Sequence, residues 1–311
     1  MPQPTHHQLN QTVRLILLSS LLLFTSSCSL IKNAAIASLM NSFGGIDKIY
    51  LTENDPELVR ESMPTNLKLM ELMIQQSPDN ADLLLSTSQA FTIYGYAFVM
   101  RDAELAMSVD VQESMRITRR ARKLLRRAKG YAFRALEVKY PGFSDAYNAE
   151  PEKTLLKVGK ENVPLLYWTA AAWGSLISAS KDVPAAIIEL PNVGYLLERA
   201  LALDESFDNG ALHELMFSYA LSRPGGGSDA EVEAISHYER ALELSQGKRA
   251  SVFVSYAESI CVTKQDRGQF ISLLDRALAI DVDEDPSSRL ANILTQERAR
   301  WLKGRVDELF F

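Results

Sequence analysis

This 311-residue chain has little of what most enzymes and metalloproteins are built on: it holds two cysteines, four histidines and no complete phosphate-loop motif. Cys28 and Cys261 cannot make a disulfide framework, and Cys261 reads as a buried thiol packed like a small hydrophobe. His213 and His237 each lack a second ligand three or four residues along the helix, so both read as structural and no metal is expected. Gly225-Gly226-Gly227 lacks the Lys-Ser/Thr that a nucleotide phosphate requires; it reads as a turn, restarted by a capping box at Ser228-Asp229-Ala230-Glu231. Glu258-Ser259 echoes the acid of a muramidase, but it sits inside a repeating helix with no cleft around it. No catalytic residue and no cofactor are therefore expected. Long apolar runs are missing too. The one at residues 15–24 is ten residues long, against the roughly 20 that a spanning helix needs, so a multi-span membrane protein does not fit.

What the chain does have begins at its N-terminus. Arg14, the apolar run and a string of small residues have the anatomy of a secretory signal over residues 1–27. Thr25-Ser26-Ser27-Cys28 resembles the bacterial lipobox, with Thr25 where Leu is usual, and makes Cys28 the expected lipid attachment site. The alternative is an ordinary cleaved signal followed by an incidental cysteine. Lipidation implies a chain held at the periplasmic face of a bacterial membrane, the outer membrane favoured, with residues 28–54 as a tether.

Net charge is -6, but residues 116–139 carry ten basic side chains and one acidic. Ile117, Ala121, Leu124, Leu125, Ala128, Ala132, Ala135 and Leu136 keep a helical period there, so the stretch is an amphipathic helix whose cations fill the other face. Two readings stand for Arg119, Arg120, Lys123, Arg126 and Arg127: a solvated, salt-bridged face, or a surface for an acidic partner or an anionic membrane. Export removes nucleic acid from the expected partners.

The strongest pattern is repetition. Glu198-Arg199-Ala200-Leu201 returns as Glu239-Arg240-Ala241-Leu242 and again as Asp275-Arg276-Ala277-Leu278, with an upstream echo at Phe133-Arg134-Ala135-Leu136. Phe217-Ser218-Tyr219-Ala220 returns as Val254-Ser255-Tyr256-Ala257 in step with it. Two interleaved helical words at this period predict an all-α fold, a tetratricopeptide-like solenoid of helical hairpins with flanking helices over residues 55–311. Helices are expected at 55–76, 81–106, 112–139, 163–180, 191–204, 210–222, 229–245, 250–262, 267–280 and 285–310.

Tyr94, Tyr96, Phe98, Tyr167, Trp168, Trp173, Tyr219 and Tyr256 fall on helices assigned to one side of such a stack. Core packing explains many of them; a groove or channel would take the rest, with Tyr94, Phe98, Tyr167, Trp168, Trp173, Tyr219 and Tyr256 as candidate lining. Trp168 and Trp173 are about 140° apart around a helix. They cannot share a face, and Trp168, which follows Tyr167, is the better candidate for the groove.

Several blocks resemble one family: Thr92-Ile93-Tyr94-Gly95-Tyr96-Ala97-Phe98-Val99, Tyr167-Trp168-Thr169-Ala170 through Trp173-Gly174, Leu212-His213-Glu214, Pro224-Gly225-Gly226, Gln265-Asp266-Arg267 and Arg298-Ala299-Arg300-Trp301-Leu302. Together they are similar to the T component associated with tripartite ATP-independent periplasmic (TRAP) transporters. The resemblance implies an all-α periplasmic lipoprotein that forms a homotrimer with a channel through each subunit. It also implies association with the transporter's periplasmic substrate-binding protein, and a small apolar or organic-acid ligand. It supplies no catalytic residues. A general scaffold for envelope assembly, presenting its groove to peptides, is the alternative.

Overall fold

Local capping signals set most of the helix boundaries. The computed structural model describes residues 46–311, so the expected signal sequence and Cys28 lie outside the described residues. Helix α1 (Ile46–Leu51) falls inside the stretch expected to be tether. Its Tyr50 is buried in the core, so the packed region starts there and not at residue 55. Asp55 caps α2 (Pro56–Gln76) by accepting from the N–H groups of Glu57 and Leu58, with Pro56 at the first helical position. Asn80 caps α3 by accepting from the Leu83 N–H at 2.9 Å.

Helix α3 runs continuously over Ala81–Met107. It is long and apolar enough to cross a bilayer, but 67% of its most apolar window is buried in the protein. Its middle, Tyr94–Met100, winds as a π-helix, which inserts a wider turn and re-aims the side chains beyond it. Helix α4 (Val111–Lys139) buries Ala121, Ala128, Ala132 and Ala135 completely. That stripe of methyl groups lets α3 and the later helix α7 (Val163–Ser178) pack on it.

Between them lie α5 (Phe143–Ala149) and α6 (Pro151–Leu155). After α7 come α8 (Pro184–Ile188), α9 (Leu190–Asp204), α10 (Ala211–Ser222) and α11 (Gly227–Leu244). Helix α12 starts as Ala250–Tyr256, passes a second π turn at Ala257–Cys261 and ends with Val262–Lys264. Helices α13 (Arg267–Leu278), α14 (Arg289–Lys303) and α15 (Val306–Leu309) complete the chain. Among the described residues there is no strand, so the fold is all-α.

Two expectations are corrected. Helix α11 starts at Gly227 with no side-chain cap, because positive φ at Gly225 (77°) and Gly227 (52°) makes the turn and puts Ser228 already inside the first helical turn. Glu231, expected to close a capping box, instead pairs with Lys264. The last helix is also broken: Pro286–Ser288 is a 3-10 turn, and α14 stops at Gly304 before the short α15.

One core cluster gathers Val59, Met63, Leu67 and Met70 of α2 with Phe91 and Phe98 of α3. A second gathers Phe253, Phe270, Leu274, Leu302 and Phe310 at the C-terminal end. Full burial of one such side chain contributes about 1.5–3 kcal/mol. Helix α14 joins the two ends of the array: Leu290 sits in the first cluster and Leu302 in the second. Arg298 of the same helix reaches Glu258 at 2.6 Å and Glu104 at 2.9 Å, the latter 194 residues away.

Candidate functional site

A cavity of about 670 Å³ lies among α3, α7, α9, α10 and α14. It exists because α7 turns small side chains inward: Ala170, Ala171, Gly174, Ser175 and Ser178 line it where larger residues would fill it. Ile93 and Ala97 of α3, Leu190, Val193 and Leu197 of α9, and Leu290 and Leu294 of α14 complete an apolar wall.

The candidate aromatics divide. Tyr167, Trp168 and Tyr219 line the cavity, together with Tyr96. Tyr94 and Phe98 are 7% and 1% exposed and pack toward α2 and α4. There Arg120 donates to the Tyr94 hydroxyl at 3.0 Å and Arg60 lies over the Phe98 ring. Trp173 belongs to an aromatic box, with Phe133 edge-on at 5.4 Å, and donates its indole N–H to Glu189 at 2.6 Å. Tyr256 stacks on Phe217 and touches Tyr238 at the α10–α12 contact. Tyr94, Phe98, Trp173 and Tyr256 therefore face helix packing and not the cavity. The α3 part of this division follows helical spacing: Tyr96 and Phe98 are two residues apart, about 200° around the helix, so Tyr96 lines the lumen and Phe98 packs in the core.

Close approach is needed at one glycine. A Cβ on Gly194 of α9 would overlap the Tyr219 phenol, so the absence of a side chain there makes room for that ring at the cavity wall.

Charge enters at the margin. Asp208 sits in a turn between α9 and α10 where Asp208 and Asn209 both have positive φ, 46° and 52°, a strained conformation for non-glycine residues. Burial raises the Asp208 carboxyl above its ordinary range even though Arg249 opposes this. Arg249 is itself held by Glu214 at 2.5 Å; burial lowers its guanidinium pKa, but the carboxylates of Glu214 and Asp208 outweigh that and raise it. The Tyr167 hydroxyl beside them is raised by burial, with Arg249 opposing. Lys181, also on the cavity, has no acidic partner within 4 Å among the described residues.

The basic helix divides as well. Arg127 ion-pairs with Glu71 and lies over Phe91, and Arg120 is engaged by Tyr94. Arg119, Lys123 and Arg126 are exposed and make no ion pair or hydrogen bond to the described residues. Sequence reasoning missed one pairing altogether. His213 and His237 lie on α10 and α11 with their Nδ1 atoms 2.8 Å apart, a contact between neighbouring helices that spacing along one helix cannot reveal. Among the described residues no group of three or more metal-type ligands forms. Glu258 is committed to Arg298, and the Cys261 thiol is buried and pushed up to about 11 by that burial.

An all-α array around an apolar cavity with a few charges at its margin defines a protein built to enclose or present something. Residues 52–310 match the family model described as TRAP transporter T-component, and the chain belongs to that family. A protein of Treponema pallidum (strain Nichols), described only as uncharacterized, is 30% identical over 309 residues, covering 93% of this chain and 94% of its own. Membership makes this protein an accessory component of a transporter, of a family not known as catalytic, and suggests a membrane-associated location.

Proposed function

We propose that this T component is non-catalytic, holds a small apolar or organic-acid ligand in the cavity, and docks the transporter's periplasmic substrate-binding protein. The observation that carries this reading is the cavity: about 670 Å³ is within the range of small-molecule sites, and its apolar wall with Tyr96, Tyr167, Trp168 and Tyr219 suits a carbon skeleton. Lys181, left without a carboxylate of the protein's own, suits a ligand that brings one. In this reading the helix pairs are tetratricopeptide-like hairpins, Cys28 carries the lipid that tethers the chain to the periplasmic face, the outer membrane favoured, and the protein assembles as a homotrimer.

Titration of the purified protein with a fluorescent fatty acid tests it. Saturable binding is expected in the wild type, weakened about tenfold or more in Trp168→Ala, the equivalent of about 1.4 kcal/mol. A wild type that neither binds the probe nor co-purifies with the transporter's substrate-binding protein overturns the reading.

A further inference from the structure

We propose that the corner between α3 and α4, with the cationic stripe leading away from it, docks on an anionic phospholipid surface. The inference rests on the membrane-associated location that family membership suggests, and is independent of what the cavity holds. Val109 is 89% exposed, and Leu105, Met107, Val111 and Met115 are all exposed around it. Of the fifteen large hydrophobic side chains exposed among the described residues, five fall within this one turn and its flanks. Single exposed apolar residues need no explanation, whereas several gathered at one corner of the fold mark an interaction surface.

Helix α4 continues the same line. Met115, Arg119, Lys123 and Arg126 recur at four, four and three residues, which keeps them on one stripe of the helix. The three cations of that stripe have no partner among the described residues, in contrast to Arg120 and Arg127 one step round the helix. The acids at the corner are already engaged: Asp110 caps α4 by accepting from the Glu113 N–H at 3.0 Å, and Glu113 is held by Arg116 at 2.6 Å. Asp102 and Glu104 nearby are likewise paired, with Arg60 and with Arg298. The corner is then an apolar tip, with the capping Asp110 within it, followed by a row of unpaired cations.

A bilayer fits this shape. Apolar residues at the tip enter the headgroup and acyl boundary, while long cationic side chains lie on the anionic surface with their stems over apolar area. A second copy of the chain seated on the same surface would set two such stripes against each other and repel.

The test uses the full chain carrying Cys28→Ala and Val109→Cys, with an environment-sensitive dye on the new thiol. Cys261 is buried with its thiol pushed up to about 11, and does not compete for the dye. The dye's emission is expected to shift to the blue on vesicles containing phosphatidylglycerol, not on pure phosphatidylcholine, and to revert in high salt. Each basic residue near an anionic surface contributes about a fivefold factor, so Arg119→Gln/Lys123→Gln/Arg126→Gln should weaken the dye-reported docking roughly a hundredfold. The N-terminal apolar run is the same in every variant and cannot account for the difference. A shift of equal size on both vesicle types, no effect of salt, or a shift that grows with protein concentration without vesicles overturns the proposal, the last by assigning the corner to self-association. Ligand titration in vesicle-free solution does not touch these outcomes, so the two readings fail separately.

Discussion

Trp168 and Trp173 show how five residues of spacing separate two fates. The Trp173 ring is 4% exposed, wedged against Phe133, with the Lys129 ammonium 3.6 Å from its centroid. Burial lowers the Lys129 pKa, and Glu189 opposes this while also accepting the indole N–H. Trp173→Ala removes packing from three helices at once and is expected to cost about 3–5 kcal/mol, read as a lower denaturation midpoint. Trp168 borders open volume and touches Tyr167 edge-on at 5.2 Å, so Trp168→Ala should leave the midpoint nearly unchanged while weakening probe binding. Equal losses of stability in both variants, each in proportion to its lost binding, would return Trp168 to the core and remove it from the site.

Helices α10 and α11 meet at a contact that should respond to pH. The two Nδ1 atoms of His213 and His237 can share one proton, one ring donating and the other accepting; with both rings charged, two donors face each other at 2.8 Å. Burial pushes both imidazoles below their ordinary value; Glu205 opposes this for His213, and the neighbouring His213 ring adds to it for His237. Arg240 and Arg223 push in the same direction as burial, while Glu233 opposes it at His237. Because the folded values lie below the unfolded one, this stability is fully present above about pH 6.5 and is lost as pH falls through the folded values. The wild-type Tm should drop more steeply than that of His237→Gln between about pH 7.5 and 5.5. Parallel curves over that window would falsify this account. The pairing was out of reach of the sequence because the two rings meet across a glycine-rich turn, where no period applies. By contrast, the caps at Asp55 and Asn80 were legible, since a cap is made between residues two or three apart.

For the whole molecule, the anchor is the remaining prediction. The stretch before Cys28 has the features of an exported lipoprotein, so labelled palmitate should enter the wild type and not Cys28→Ala, which should leave the membrane fraction; a variant that stays bound beside an unlabelled wild type would refute it. By itself the sequence determined the all-α class, most helix boundaries and the family, because hydrophobic period, capping and turn chemistry are short-range and leave their marks on adjacent residues. Which aromatics face the cavity was decided only by tertiary structure. Spacing in α3 puts Tyr96 and Phe98 on opposite sides of the helix, but only the packing of α2 and α4 against one side, leaving the cavity on the other, decides which ring meets the cavity. The same holds for the cations of α4. All of them share the polar side of one amphipathic helix, but only the approach of Glu71 and Tyr94 from other helices decides that Arg127 and Arg120 are engaged and that Arg119, Lys123 and Arg126 are not. Partners brought by long-range packing are absent from local pattern, and whether a charge or a ring is free for function depends on them.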